Sequence, residues 1–190
     1  LNVFWLGLGL FARLTHLPLP IVYHLARLVA GWLLLTAVYW LATRLLSTVA
    51  ARRIGFLLTA TASGFGWAFH AGGGRPHPID YGPGLVMPEA ITFLSLLLNP
   101  LFCFSVFLMI AVIGLAADAF QSGSARRALL AGLAALLLGN VHTYDLVPVA
   151  AVTLAFLAHQ VITRPCRGRA VVLAVFIAAL AAPAVGYQWW

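Results

Sequence analysis

The side chains able to do acid–base or metal chemistry are few: four acids, Asp80, Glu89, Asp118 and Asp145, and six histidines. A carboxylate beside an imidazole can move protons or hold a cation, so where these groups gather decides what the chain can do. They gather in two stretches. The first is a loop running from His70 to about Gly84, where Arg75, His77 and Asp80 sit among three consecutive glycines and the prolines Pro76, Pro78 and Pro83. That composition excludes a helix or a central strand. A solvated linker is the plain reading of it; the clustered charges, and the helix it feeds, also make it a lid candidate.

The loop leads to Pro88-Glu89 and a helix predicted over 88–99. Proline suits the first helical position, Glu89 complements the helix dipole, and Pro100 makes Asn99 a stop or kink. Glu89, Thr92, Ser95 and Asn99 recur at spacings of three, three and four, which puts them on one face. The segment is too short to span a bilayer. It reads as an interfacial or re-entrant helix whose polar stripe either lines a water-filled cavity or holds neighbouring helices together. The second stretch is Gly139-Asn140-Val141-His142-Thr143-Tyr144-Asp145-Leu146-Val147-Pro148, a tight connection between two apolar runs. His142 and Asp145 suit an acid–base or metal-binding pair. Asp145 equally suits a cap for the helix starting at Leu146, with Tyr144 as an interface anchor.

The elements that must carry these groups follow from composition. At 63% hydrophobic and 8% charged, the chain departs far from the roughly 45–50% apolar and 25% charged residues of soluble domains. An all-α, polytopic transmembrane bundle is predicted, read as one transmembrane domain over residues 1–190. It has about six spans (28–46, 53–69, 101–120, 128–142, 145–163 and 170–187) and the short helix at 88–99. Residues 1–14 read as the tail of an earlier span, so the chain reads as a fragment lacking its N-terminal spans. The net charge of +7 comes from arginine alone, and the arginines track the ends of apolar runs instead of forming one basic face. Nucleic acid is not the expected partner; the lipid bilayer is.

Placing loops 43–53, 121–127 and 164–169 in the cytoplasm puts Arg44, Arg52, Arg53, Arg126, Arg127, Arg164, Arg167 and Arg169 inside, leaving Arg13, Arg27 and Arg75 outside. Loop 70–100 and the turn at 143–145 are then extracytoplasmic, in a multi-pass protein of the cell's inner (plasma) membrane. Asp80, Glu89, Asp145 and five of the histidines fall on that outer side. Asp118 is expected near the inner interface, within reach of Arg126 or Arg127. Thr59, Ser63, Gly64 and Gly66 are expected to form a small-residue packing face. Cys103 and Cys166 fall toward opposite sides, which argues against a disulfide. No zinc spacing, HExxH, phosphate-binding loop or dinucleotide fingerprint occurs in the sequence.

An outer cavity with carboxylates, nearby arginine and apolar walls suits reaction of a lipid phosphate with a polar acceptor. Arginine or a divalent cation, Mg2+ or Mn2+, would balance the phosphate, and a carboxylate would take the acceptor's proton. The order of features resembles the GT-C superfamily of membrane glycosyltransferases, in particular those similar to protein O-mannosyltransferases. The matching stretches are Arg52-Arg53 with a span ending Gly64-Phe65-Gly66-Trp67, the loop into Pro88-Glu89 with Thr92-Phe93-Leu94-Ser95, Asn99-Pro100, and Gly139 through Pro148. They cover about half the chain. The resemblance implies transfer of a sugar from a polyprenyl-phosphate donor on the extracytoplasmic side. It also implies a principal catalytic carboxylate in a first outer loop, expected upstream of Leu1. Glu89, Asp145 and Asp80 are then the candidate catalytic or supporting acids here, and Arg75, His77, His142, Tyr144 and Asn99 the candidate substrate contacts. A transporter or flippase module with an outward polar cavity, or a helical scaffold without a site, are the alternatives.

Overall fold

The computed structural model describes residues 2–61, 92, 95–96, 99–163 and 167–188. Among them every regular element is helical and there is no strand. The helices are α1 (Val3–Thr15), α2 (Leu19–Leu45), α3 (Val49–Thr61), α4 (Pro100–Ser122), α5 (Ala125–Val141), α6 (Leu146–Thr163) and α7 (Arg167–Gln188), with a 3-10 turn Thr143–Asp145 between α5 and α6. Four segments, Leu19–Leu45, Pro100–Ser122, Thr143–Thr163 and Gly168–Tyr187, are long and apolar enough to cross a membrane. The all-α, membrane-compatible architecture predicted from composition is what the chain adopts.

The first of these segments differs from its predicted bounds. A span over 28–46 stops short of the polar His24 and Arg27, yet α2 begins at Leu19, directly after Pro18 with ψ 137°. Proline is tolerated in a first turn because its missing N–H would have no intrahelical partner there. A helix of 27 residues is about 40 Å long, against a hydrocarbon core of about 30 Å. Its N-terminal turns therefore have length to spare outside the apolar layer, where His24 and Arg27 cost little.

The described residues pack as two compact units, 11–107 and 108–190 with 1–10. In the first, α2 packs against α3 across a short connection. The Arg52 side chain closes that connection by donating from Nε to Leu46 O (2.8 Å) and from Nη2 to Ser47 O (3.2 Å). Leu46 is the extended residue that ends α2 and Ser47 follows it, so the guanidinium ties down the chain just past the helix's C-terminus. Tyr39 and Phe56 meet edge to face at 5.8 Å between ring centroids, and Arg44 lies 3.9 Å over the Trp40 ring. Thr59 is exposed and donates to Gly55 O in its own helix (2.8 Å). The other members of the packing face expected here, Ser63, Gly64 and Gly66, lie outside the described residues.

In the second unit, α5 and α7 make the most extensive helix contact. Small residues allow it. A Cβ built on Gly132 would stand 2.5 Å from Leu180 Cδ1, and one on Gly139 would stand 2.7 Å from Ala184 Cβ. Glycine at these two positions lets the backbones approach as closely as they do, the usual basis of tight helix association in a bilayer. Around them Ala116, Ala119, Phe120, Ala128, Ala131, Ala170, Leu173 and Ile177 form a buried cluster. Gly123, with φ +66°, ends the α4 region, and a side chain there would meet the Arg169 side chain. The sharp reversal into α5 is capped by Ser124, whose hydroxyl accepts from Arg127 N.

Candidate functional site

The α5–turn–α6 connection is where the described chemistry-bearing residues come together. Helix α5 stops at His142, whose φ/ψ of −152°/87° leaves the helical region while its N–H still donates to Leu138 O (2.7 Å). Two polar side chains, from Thr143 and Asn2, then occupy the helix's last carbonyls, and that of Asn140 bonds a carbonyl within the helix itself. Asn140 Nδ2 donates to Leu136 O (2.8 Å), Thr143 Oγ1 to Gly139 O (2.9 Å), and Asn2 Nδ2, from the start of α1, to Val141 O (2.8 Å). Orphan carbonyls at a helix end need such partners when water is scarce. The sequence therefore spends Asn140 and Thr143 on holding the turn in shape, which leaves His142, Tyr144 and Asp145 to differ in role.

Asp145 N donates to His142 O (3.2 Å), closing the turn, and its side chain comes back to the same residue. Asp145 Oδ2 lies 3.1 Å from His142 Nδ1. Asp145 is 8% exposed, so this is a carboxylate–imidazole pair held largely away from solvent. The contact puts an imidazole and a carboxylate within ion-pair distance, the juxtaposition from which the two can share a proton. Tyr144 is the opposite case: it is 80% exposed, its ring edge-on to His142 at 5.6 Å, as an interface anchor or substrate platform would be.

Asn99 belongs to the unit of residues 11–107. Its Oδ1 accepts from Leu101 N (3.0 Å), making it the N-terminal cap of α4, and its carbonyl accepts from Cys103 N (3.3 Å). The expected stop before Pro100 is present. Its described contacts are those of a cap, with the substrate role left to a second function of the same side chain. Ser95 is fully buried, and its carbonyl accepts from Cys103 Sγ (3.0 Å). Glu89, Asp80, Arg75 and His77, with nearly all of the loop and helix at 70–98, lie outside the described residues. So do Arg164 and Cys166.

For a divalent cation the described residues offer one pair. Among them no three His, Cys, Asp or Glu side chains converge. A hard cation such as Mg2+ takes one or two carboxylates and completes its shell with water and substrate phosphate, so Asp145 could contribute only together with such ligands. Two features of the site went unnoticed in the sequence. Asn2 has no local signal, because its partner is 139 positions away. Gly132 and Gly139 were readable: they stand seven apart, with Ala128, Ala131 and Ala135 at helical spacing around them, a small-residue face on α5. No protein-family model, curated protein or solved structure matches the chain.

Proposed function

We propose that this chain is part of an integral membrane glycosyltransferase that moves a sugar from a polyprenyl-phosphate donor to an acceptor on the extracytoplasmic side of the inner (plasma) membrane. The observation that carries the reading is the His142–Asp145 pair at 3.1 Å, largely shielded at a turn between two apolar helices. Glycosyl transfer to a hydroxyl needs a group that takes the acceptor's proton as the new C–O bond forms. It also needs the carrier phosphate to depart with the electron pair of the broken bond. In this reading Asp145 takes the proton and passes it to His142. Glu89 and Asp80 are the supporting acids. Arg75 and His77 balance the leaving phosphate, and Tyr144 and Asn99 contact the substrates. The bilayer next to the turn accommodates the polyprenyl tail.

The test is sugar transfer in membranes containing the full-length protein. Asp145→Asn keeps the shape and removes the base, and is expected to lower transfer by about 10²–10⁴-fold at unchanged protein level. Glu89→Gln is expected to lower it as well. Wild-type transfer by both variants would overturn the assignment. Movement of a lipid-linked sugar across the membrane with no covalent product would place the chain among transporters instead.

A further inference from the structure

A second feature of the unit formed by residues 108–190 with 1–10 is a long apolar groove of about 470 Å3 between α6 and α7, floored by Val112 of α4 and Ala135 of α5. Contacts near both ends tie α6 to its neighbours. At one end the 3-10 turn packs on α5, α6 and α7, and Val149 is buried. At the other, Phe156 stacks on Phe120 (6.5 Å between centroids) and, with Leu157 and Ala174, joins the buried cluster. Between these points the walls are mostly alanine, and the helices stand apart. Leu154 on α6 and Val185 on α7 line the groove and are themselves exposed, so it opens laterally onto the surface of these two helices.

We propose that this groove is a binding site for one acyl chain of a bilayer phospholipid, drawn from the leaflet on the side of the 3-10 turn. The lateral entrance is continuous with the exposed apolar surface of two membrane-length helices, so hydrocarbon is the medium at its mouth. Water gains nothing there, because Thr153 is the only lining residue with a polar side chain and apolar cavities stay dry. The lining runs from Leu146 to Leu157, about 17 Å along a helix axis, close to the ~15 Å depth of one leaflet. An acyl chain matches that length, whereas a polyprenyl carrier chain is too long for it. The proposal stands apart from the glycosyltransferase reading, since it needs no contact with His142 or Asp145.

The full-length protein, purified from membranes in mild detergent, is expected to carry phospholipid in near-equimolar amount, measured by mass spectrometry of the extracted lipid. Ala178→Phe and Ala150→Phe, one on each wall, are expected to reduce that amount roughly tenfold, while Val172→Phe on the outer face of α7 leaves it unchanged. Helical content and melting curves identify any variant that fails to fold. With the wild-type protein, a phosphatidylcholine bearing an acyl-chain diazirine is expected to label peptides 146–157 and 174–185 above the other exposed apolar segments. Equal lipid in all variants, uniform labelling, recovery of polyprenyl phosphate in place of phospholipid, or a lipid-free dimer that the wall substitutions dissociate would each overturn the proposal.

Discussion

At the scale of single residues, the turn after α5 shows how a few polar side chains are divided between structure and chemistry. Asn140 and Thr143 bond within their own helix end, so alanine at either is expected to cost stability, about 0.5–1.5 kcal/mol for a hydrogen bond, with transfer reduced only through the shape of the turn. His142→Gln separates the two roles in another way. Glutamine can still hydrogen-bond Asp145 but cannot carry a proton at neutral pH, so the expected result is a near-normal melting temperature with impaired transfer and an altered pH–rate profile. An unchanged pH–rate profile would reduce His142 to a structural partner. Thr153 supplies a test of the opposite kind. Its Oγ1 is buried without a hydrogen-bond partner, whereas Thr36, Thr59 and Thr163 donate to carbonyls four residues back. An unsatisfied buried hydroxyl is a net cost, so Thr153→Val is expected to leave stability unchanged or raise it, read as melting temperature. The pairing of His142 with Asp145 was legible in the sequence, because a spacing of three in so short a connection leaves little choice of neighbours. The cap made by Asn2 was not, since no local pattern announces a partner at the far end of the chain.

At the scale of elements, helix type and approximate position followed from apolar runs and their breakers, and the departures occur where tertiary context overrides a local cue. The extra turns of α2 run through Pro20, His24 and Arg27, residues that read as a boundary until the surplus of helix length over bilayer thickness is considered. The glycines that cluster toward Gly66 lie outside the described residues; among the described ones the close approach is on α5. That placement has a sharp consequence. A methyl group at Gly139 would meet Ala184 Cβ at 2.7 Å, a short rigid side chain with no rotamer into which to retreat. Gly139→Ala is expected to push α5 from α7 at a cost of about 1–3 kcal/mol, lowering the melting temperature and, because the turn begins at that point, the activity too. Gly132→Ala meets Leu180 at its Cδ1 (2.5 Å) and also at its Cβ (2.9 Å), which no rotamer moves, so a comparable cost is expected. In the other unit, Arg52→Ala removes both bonds that close the end of α2; Arg52→Lys offers a single ammonium in place of a planar fork and is expected to restore only part of the loss.

At the scale of the whole molecule, the arginines carry the argument. A net charge of +7 in a chain with so few charged residues looks at first like a surface for an acidic partner. Three of the described arginines instead serve helix ends: Arg44 on Trp40, Arg52 on the carbonyls just past α2, and Arg127 with Nη1 donating to Ser122 Oγ (3.3 Å) beside the reversal into α5. Basic side chains at one set of helix ends fix orientation during insertion, and they predict that the α2–α3 and α4–α5 connections share the cytoplasmic side while the His142–Asp145 turn faces the other. Topology reporters test this directly. A fusion after Gly123 is expected to be active only as a cytoplasmic reporter, and one after Tyr144 only as an extracytoplasmic one. A cysteine placed at Tyr144, whose side chain is 80% exposed, is expected to react with a membrane-impermeant maleimide added to intact cells, whereas one at Ser122 reacts only after the membrane is opened. Replacing Arg126 and Arg127 with glutamine weakens the charge bias at one connection while leaving those at α2–α3 and α6–α7. The orientation is therefore expected to persist in most molecules, with a minor inverted population. Were the maleimide to reach Ser122 and not Tyr144 in intact cells, the His142–Asp145 pair would lie on the cytoplasmic side, and a reaction with an extracytoplasmic carrier-linked sugar would be excluded for it.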